Sequence, residues 1–193
     1  MFTFPGFRIG LRPIAMSDVD SIMEWVNEPS VTRNFAGMSR TITRDEEAVF
    51  IQKMMDSPND RLWAIVTRDG QNLGNAGIHK IYWPARNGRL GIVLGRSGFQ
   101  GKGLGQEALR LLIAMGFMEL SLHKLWVVHY ETNARMMHIL KKLGFQKEGL
   151  LRDEYFHGET FHNMVRQSML GPEFTAISEE WGISLGDGDL KRS

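Results

Sequence analysis

The sequence predicts an α/β fold: one mixed, mostly antiparallel sheet of about six to seven strands, with helices on both faces. Three observations predict it. The first half of the 193-residue chain holds short apolar or alternating runs separated by turn residues, the pattern of antiparallel hairpins. A glycine-rich loop around residues 100–106 then joins one such run to a long amphipathic segment. A second strand–helix unit follows at once, so parallel crossovers are expected only around that loop.

The elements follow in order. Residues 7–14 alternate and end beside Pro13, which predicts a first strand. Ser17 reads as the N-cap of a helix carrying Val19, Ile22, Met23 and Val26 on one face, with Pro29 ending it. Residues 44–55 predict a second helix, with Ala48, Ile51, Met54 and Met55 inward. Residues 62–67 form a short strand closed by the Asp69-Gly70 turn. Residues 73–82 and 89–95 give two more strands about a turn at 84–88. The long helix presents Leu104, Ala108, Leu111, Leu112 and Met115 on one face. A strand at 124–130 and a helix at 134–143 come next, Gly144 serving as C-cap. Closing strands are expected at 145–149 and 161–170. Residues 1–170 thus read as a single domain, and residues 171–193, rich in Gly, Ser and acidic groups after Pro172, as a loosely held tail.

Composition excludes several classes. The formal net charge is +1 without a lysine–arginine run, so the basic stripe of a nucleic-acid binder is missing. With 0 cysteines there are no disulfides, thiolate nucleophiles or cysteine zinc sites. Residues 1–10 lack the apolar segment of a signal peptide, and no apolar run approaches the ~18 residues of a membrane span. A cytoplasmic protein with no membrane or nucleic-acid partner is expected.

The stretch Gln100-Gly101-Lys102-Gly103-Leu104-Gly105-Gln106 carries the most chemistry. It leads into a helix N-terminus, where unpaired amides and the helix dipole favour an anion. Its glycines remove side chains that would hold a phosphate away from the backbone, and Lys102 adds a cation. Spacing excludes two familiar phosphate loops. A dinucleotide fingerprint needs glycine where Gln106 stands, and no Gly-Lys-Ser/Thr occurs. The alternative is a strand-to-helix connection that holds nothing.

Gln100-x-x-Gly103-x-Gly105 followed by Glu107-Ala108-Leu109 resembles the acetyl-CoA motif of the GNAT N-acetyltransferase superfamily. Asn133-Ala134-Arg135, Leu143-Gly144-Phe145 and Glu148-Gly149-Leu150-Leu151-Arg152 are similar to the family's second half. The opening Leu11-Arg12-Pro13, Asp18 and Trp25-x-Asn27 resembles the branch holding ribosomal-protein N-terminal, spermidine and nucleotide-amino-sugar acetyltransferases. The resemblance covers residues 7–170 and implies an acetyl-CoA-dependent N-acetyltransferase with a GNAT-like sheet. It implies that Ile92, Val93 and Leu94 bond the pantetheine arm through their backbone. Gln100, Gly101, Lys102, Gly103, Leu104, Gly105 and Gln106 then wrap the pyrophosphate, and Asn133 meets the cofactor near its thiol, beside its ordinary reading as a helix N-cap. The partner is a small-molecule or peptide amine. The late hairpin, residues 152–158, can approach the acceptor or the second subunit of a homodimer. No metal is expected, because His157, Glu159 and His162 lack ligand spacing.

The family's proton carriers are missing. Arg89 and Val128 stand where relatives carry a glutamate, and Leu140 where many carry a tyrosine. Replacement candidates are His79, whose intrinsic pKa suits the task, and Tyr130, which shares strand parity with Val128. His129 and Glu131 have the opposite parity. The acceptor follows from magnitudes. An amine of pKa about 10.4 is neutral at pH 7 in roughly one molecule per two thousand, a ~4.6 kcal/mol penalty, whereas an α-amine of pKa about 7.8 pays ~1 kcal/mol. Weak bases match an α-amine or amino sugar better. A polyamine acetyltransferase and a catalytically silent acyl-CoA-binding module are the alternatives. Trp25, Phe35, Trp83 and Phe156 are candidate lining residues.

Overall fold

The computed structural model describes residues 1–32, 40–95 and 102–185. One seven-stranded sheet runs in the order β1-β2-β3-β4-β5-β7-β6. Its strands are β1 (Ile9–Pro13), β2 (Arg61–Thr67), β3 (Asn72–Tyr82), β4 (Asn87–Leu94), β5 (Lys124–Tyr130), β6 (Gln146–His157) and β7 (Thr160–Leu170). Every adjacent pair is antiparallel except β4 and β5, as the strand–loop–helix–strand order requires.

Before β2 stand α1 (Val19–Met23), α2 (Pro29–Thr32) and α3 (Arg44–Asp56). After β4 come α4 (Leu104–Ala114), α5 (Ala134–Lys142, between β5 and β6) and α6 (Gly171–Ile177). Alternation along the strands sends side chains to two cores. Trp63, Ile65, Ile78, Leu125 and Met169 join α4 residues such as Leu111 and Leu112 in the larger one. Ala64 and Val66 join Val19, Ile22, Trp25 and Ile51 in the smaller one, on the face of α1 and α3.

Local chemistry explains the boundaries. Thr43 caps α3 by accepting from the Glu46 N–H, and the Glu46 carboxylate accepts from the Thr43 N–H. Asn133 Oδ1 accepts from the Met136 N–H (3.0 Å) at the start of α5, and Gly144 takes φ +83° just past its end. Five expectations are corrected. Ser17 lies inside a 3-10 turn rather than capping a helix; the Asp18 carboxylate, paired with Arg12, receives the Ala15 N–H instead (2.9 Å). Pro29 begins a short helix rather than ending one, a position where its missing N–H costs nothing. Met55 is exposed, since α3 covers the sheet with a narrower stripe. The strand expected at 145–149 extends to His157 through two bulges. Residues 171–185 are not loosely held: Phe174, Trp181 and Ile183 are buried in the larger core, and Phe174 stacks on Phe117 (5.1 Å). Among the described residues no helix is long and apolar enough to cross a membrane.

Candidate functional site

β4 pairs with β3 as far as Leu94, but with β5 only from Asn87–Lys124 to Arg89–Trp126. β5 is held on its other edge by β7 along its whole length. Beyond Arg89 the two parallel strands part, and among the described residues, residues 90–94 have no strand partner on the β5 side. A strand turns its backbone groups alternately to its two edges, so amides and carbonyls of this stretch face the opening. Ile92, Val93 and Leu94 lie there. Ile92 and Leu94 pack toward the core under α4, and Val93 toward that of α1 and α3.

α4 starts at the same end of the opening. Gln100 and Gly101 lie outside the described residues. Gly103 is the N-cap of α4 with φ +80°, a left-handed conformation that glycine adopts without strain. The N–H groups of Gln106 and Glu107 return to the Gly103 carbonyl (3.1 Å each), while Leu104 and Gly105 head the helix, where amides have no internal acceptor. A Cβ at Gly105 would sit 3.3 Å from Leu94 Cδ1, so the glycine lets α4 approach the open edge of β4. The first amides of a helix, at its positive end and walled by glycine, suit a diphosphate.

Two residues the sequence reading left without a role hold that loop. The Glu107 carboxylate accepts from Arg8 Nε (2.9 Å), from its terminal nitrogen (2.8 Å) and from the backbone N–H groups of Arg8 (2.5 Å) and Ile9 (3.0 Å). Arg8 also donates to the Lys102 carbonyl (3.1 Å). The start of β1 is thereby tied to the loop and to the first turn of α4. Separation of 99 positions hides such a pair from any local pattern.

The register places the proton-carrier candidates on one face. His79 pairs with Arg89 and Arg89 with Trp126, so His79, Trp126, Val128 and Tyr130 all project away from α4. His79 Nδ1 is 3.2 Å from Asp60 Oδ1. Asp60 is itself held by the Ser57 hydroxyl (2.7 Å) and the Lys80 N–H (3.2 Å). The ring leans over Gly77 and Gly91: a Cβ at Gly77 would collide with Nε2, and one at Gly91 would lie 3.3 Å from Cδ2. Burial and the Arg89 charge hold the imidazole below its ordinary pKa, against the pull of Asp60, which favours neutral imidazole near pH 7. Burial would raise Asp60, but Ser57, the Lys80 amide and His79 outweigh it and keep the carboxyl below its usual range.

Tyr130 is buried, and among the described residues its hydroxyl has no hydrogen-bond partner. Burial, then the neighbouring Tyr155, pushes the phenol up, so it stays protonated. Tyr155 (6.1 Å) and His162 (5.3 Å) meet its ring edge-on. His129 points to the opposite face, against Gln167 (3.0 Å) and the Tyr130 carbonyl (2.8 Å). Leu140 is fully buried core, as its helical spacing implies. Of the lining candidates, Trp25 packs its ring flat against Gly95, leaving no room for a side chain there. Trp83 stands at the far end of β4, donating to the Pro58 carbonyl (3.1 Å), and Phe156 is exposed on the hairpin beside Phe161. Phe35 lies outside the described residues. Among the described residues no three His, Cys, Asp or Glu converge as metal ligands.

The family model for the acetyltransferase (GNAT) domain matches residues 8–146. The chain is 27% identical to spermidine N(1)-acetyltransferase of Escherichia coli K12 over 92% of its own length and 94% of the relative's. It is 30% identical to an uncharacterized N-acetyltransferase, p20, of Bacillus licheniformis over 76% of this chain and 83% of that one. In fold it is similar to a Vibrio cholerae spermidine N-acetyltransferase solved in complex with CoA and spermine, with TM-score 0.79 at 19% identity, covering 87% of this chain and 98% of that one. The parted strands, the glycine-walled helix start and the family match together make this chain a member of the GNAT superfamily, an N-acetyltransferase that uses acetyl-CoA.

Proposed function

We propose that the chain acetylates a small-molecule primary amine at the opening between β4 and β5, and that a polyamine is the acceptor to expect first. The observation that carries the site is the loss of β4–β5 pairing after Arg89–Trp126, directly beside the glycine-walled start of α4. The polyamine reading draws on the likeness to a spermidine N(1)-acetyltransferase along nearly the whole of both chains.

Acetyl-CoA supplies a thioester carbonyl. In the proposed arrangement Gln100, Gly101, Lys102, Gly103, Leu104, Gly105 and Gln106 hold its diphosphate, and Ile92, Val93 and Leu94 hold its pantetheine arm by backbone hydrogen bonds. Asn133 lies near the thiol end while also capping α5. An amide on the open edge of β4 stabilises the charge that develops on the carbonyl oxygen. The acceptor comes from the face away from α4. There His79 takes the ammonium proton, the nitrogen forms its bond to the carbonyl carbon as the C–S bond breaks, Tyr130 protonates the departing thiolate, and the second proton of the amine returns to the Tyr130 phenolate by way of water.

A second acceptor reading, an α-amine or amino sugar, is favoured by His79 itself. Its lowered pKa makes it a weak base for an ammonium of pKa about 10.4 but an adequate one for a group of about 7.8. A thiol-release screen over polyamines, amino sugars and peptide N-termini separates the two. Turnover of spermidine well above the others supports the first reading; turnover confined to amino sugars or peptide N-termini replaces it with the second.

A further inference from the structure

β3 and β4 carry facing glycines, Gly77 and Gly91, at one pair of the ladder. Both point to the face that holds His79, and the imidazole fills the room they leave. Any side chain at Gly77 would strike Nε2, so the ring's present position depends on that glycine. Gly91 lies two residues past the last β4–β5 pair, at the mouth of the opening. The ring therefore leans from its own strand position, opposite Arg89, over the Gly77–Gly91 pair, toward the strand that borders the opening.

Its other nitrogen is anchored. Asp60, immediately before β2, meets Nδ1 and is itself braced by Ser57 and by the amide of Lys80. Lys80, whose amide donates to the Asp60 carboxylate, sits at φ +51°, an uncommon conformation for a lysine. A carboxylate accepts only, so Nδ1 must be the protonated nitrogen and Nε2 the one with the free lone pair. Asp60 and Arg89 are the charges that act on the ring. The Arg61 guanidinium is engaged elsewhere, on the Ser57 and Asp60 carbonyls and over the Trp83 ring.

We infer that Asp60 is a positioning residue for catalysis: by holding the Nδ1–H tautomer of His79 in the Gly77–Gly91 slot, it presents Nε2 as the proton acceptor for the incoming amine. The inference rests on the proposed transfer at the β4–β5 opening. The proton balance is simple. The ammonium N–H bond breaks, its proton passes to Nε2, and the imidazolium formed is stabilised by the Asp60 carboxylate until water removes the proton.

The test uses the full chain, acetyl-CoA, and two acceptors: the best amine from the screen and hydroxylamine, which is already neutral at pH 7. His79→Gln is expected to lower kcat/KM for the protonated amine about 100-fold, and Asp60→Asn about 10-fold or more. Both should leave the hydroxylamine rate within about 3-fold of wild type and the CoA-induced rise in melting temperature unchanged. In Asp60→Asn the acid limb of the kcat/KM profile should move to lower pH, because the carboxylate that stabilises the imidazolium is gone. Parallel losses with both acceptors, or a pH profile identical to wild type, would overturn the inference and leave Asp60 a structural brace. If Asp60→Asn does not fold, Asp60→Glu decides the same point: it keeps a carboxylate but displaces it from Nδ1, so the rate with the protonated amine should fall while the hydroxylamine rate holds. Wild-type protein that binds CoA but acetylates no amine in the screen removes the underlying reading, an outcome distinct from failure of the pair alone.

Discussion

At the scale of single residues, Tyr130 separates a catalytic from a packing role. A buried phenol with no partner for its hydroxyl forfeits a hydrogen bond that water would have offered, so removing the oxygen should not destabilise the fold. Tyr130→Phe is expected to be neutral or to stabilise by up to about 1 kcal/mol in urea unfolding, while kcat falls about 100-fold with little change in KM. A variant with unaltered kcat would return Tyr130 to the core. Glu47, by contrast, is a residue the pattern did not flag. It is buried on α3, and burial raises its carboxyl above the usual range. It was invisible in the sequence because acidic residues at 45–47 read simply as the charged first turn of a helix.

At the scale of elements, two junctions matter. The first joins β1 to the turn before α1. Asp18 is buried and receives both Arg12 guanidinium nitrogens (2.6 and 2.7 Å), the Ala15 N–H and Asn72. Burial alone would raise its carboxyl, but those hydrogen bonds and the Arg12 charge prevail, and its pKa lies below the ordinary value. A carboxylate lowered on folding contributes stability above its unfolded pKa of about 3.9 and loses that contribution as pH falls through the folded value. Asp18→Asn should therefore cost about 3 kcal/mol at pH 7, and the gap from wild type should close as pH falls below about 4. Chemical unfolding at a series of pH values reads this directly; a gap independent of pH would contradict it. The second junction is the start of α4. Gly103→Val places a β-branched side chain at φ +80°, and the strain, about 1–3 kcal/mol, falls on the turn that heads the helix. CoA should no longer raise the melting temperature of this variant, although it still folds. An undiminished CoA shift would refute the loop's role.

At the scale of the whole molecule, the chain after β7 completes the larger core. Trp181 packs on Phe174 (5.9 Å) and beneath the Arg110 guanidinium (5.7 Å), so α4 is braced from the C-terminal segment as well as from β1. Trp181→Ala is expected to cost about 3–5 kcal/mol and to weaken CoA binding through α4. Equilibrium unfolding and a CoA thermal shift measure the two effects. A loss under about 1 kcal/mol would mean that the segment adds little to the core.

The sequence by itself determined the order of the seven strands and the longer helices between them, the placing of parallel pairing beside the glycine loop, and the glycine-headed helix start. Each is written in local periodicity or in residues a few positions apart, where hydrophobic alternation and turn chemistry act. The same locality made His79 and Tyr130 nameable as candidates with Ile92, Val93, Leu94 and Asn133, through strand parity and the family resemblance. Only the tertiary structure decided which groups meet. Asp60 is 19 positions from His79, and Glu107 is 99 from Arg8. Nothing local in the chain marks either pair, because both are made by strand register and by the packing of α4 on β1. Residues 171–185 show the reverse failure: the polar, glycine-rich composition after Pro172 suggested a loose tail, whereas three well-spaced apolar residues, Phe174, Trp181 and Ile183, are buried in the core. Composition averages over a window, but burial is decided residue by residue against whatever surface the rest of the fold leaves open.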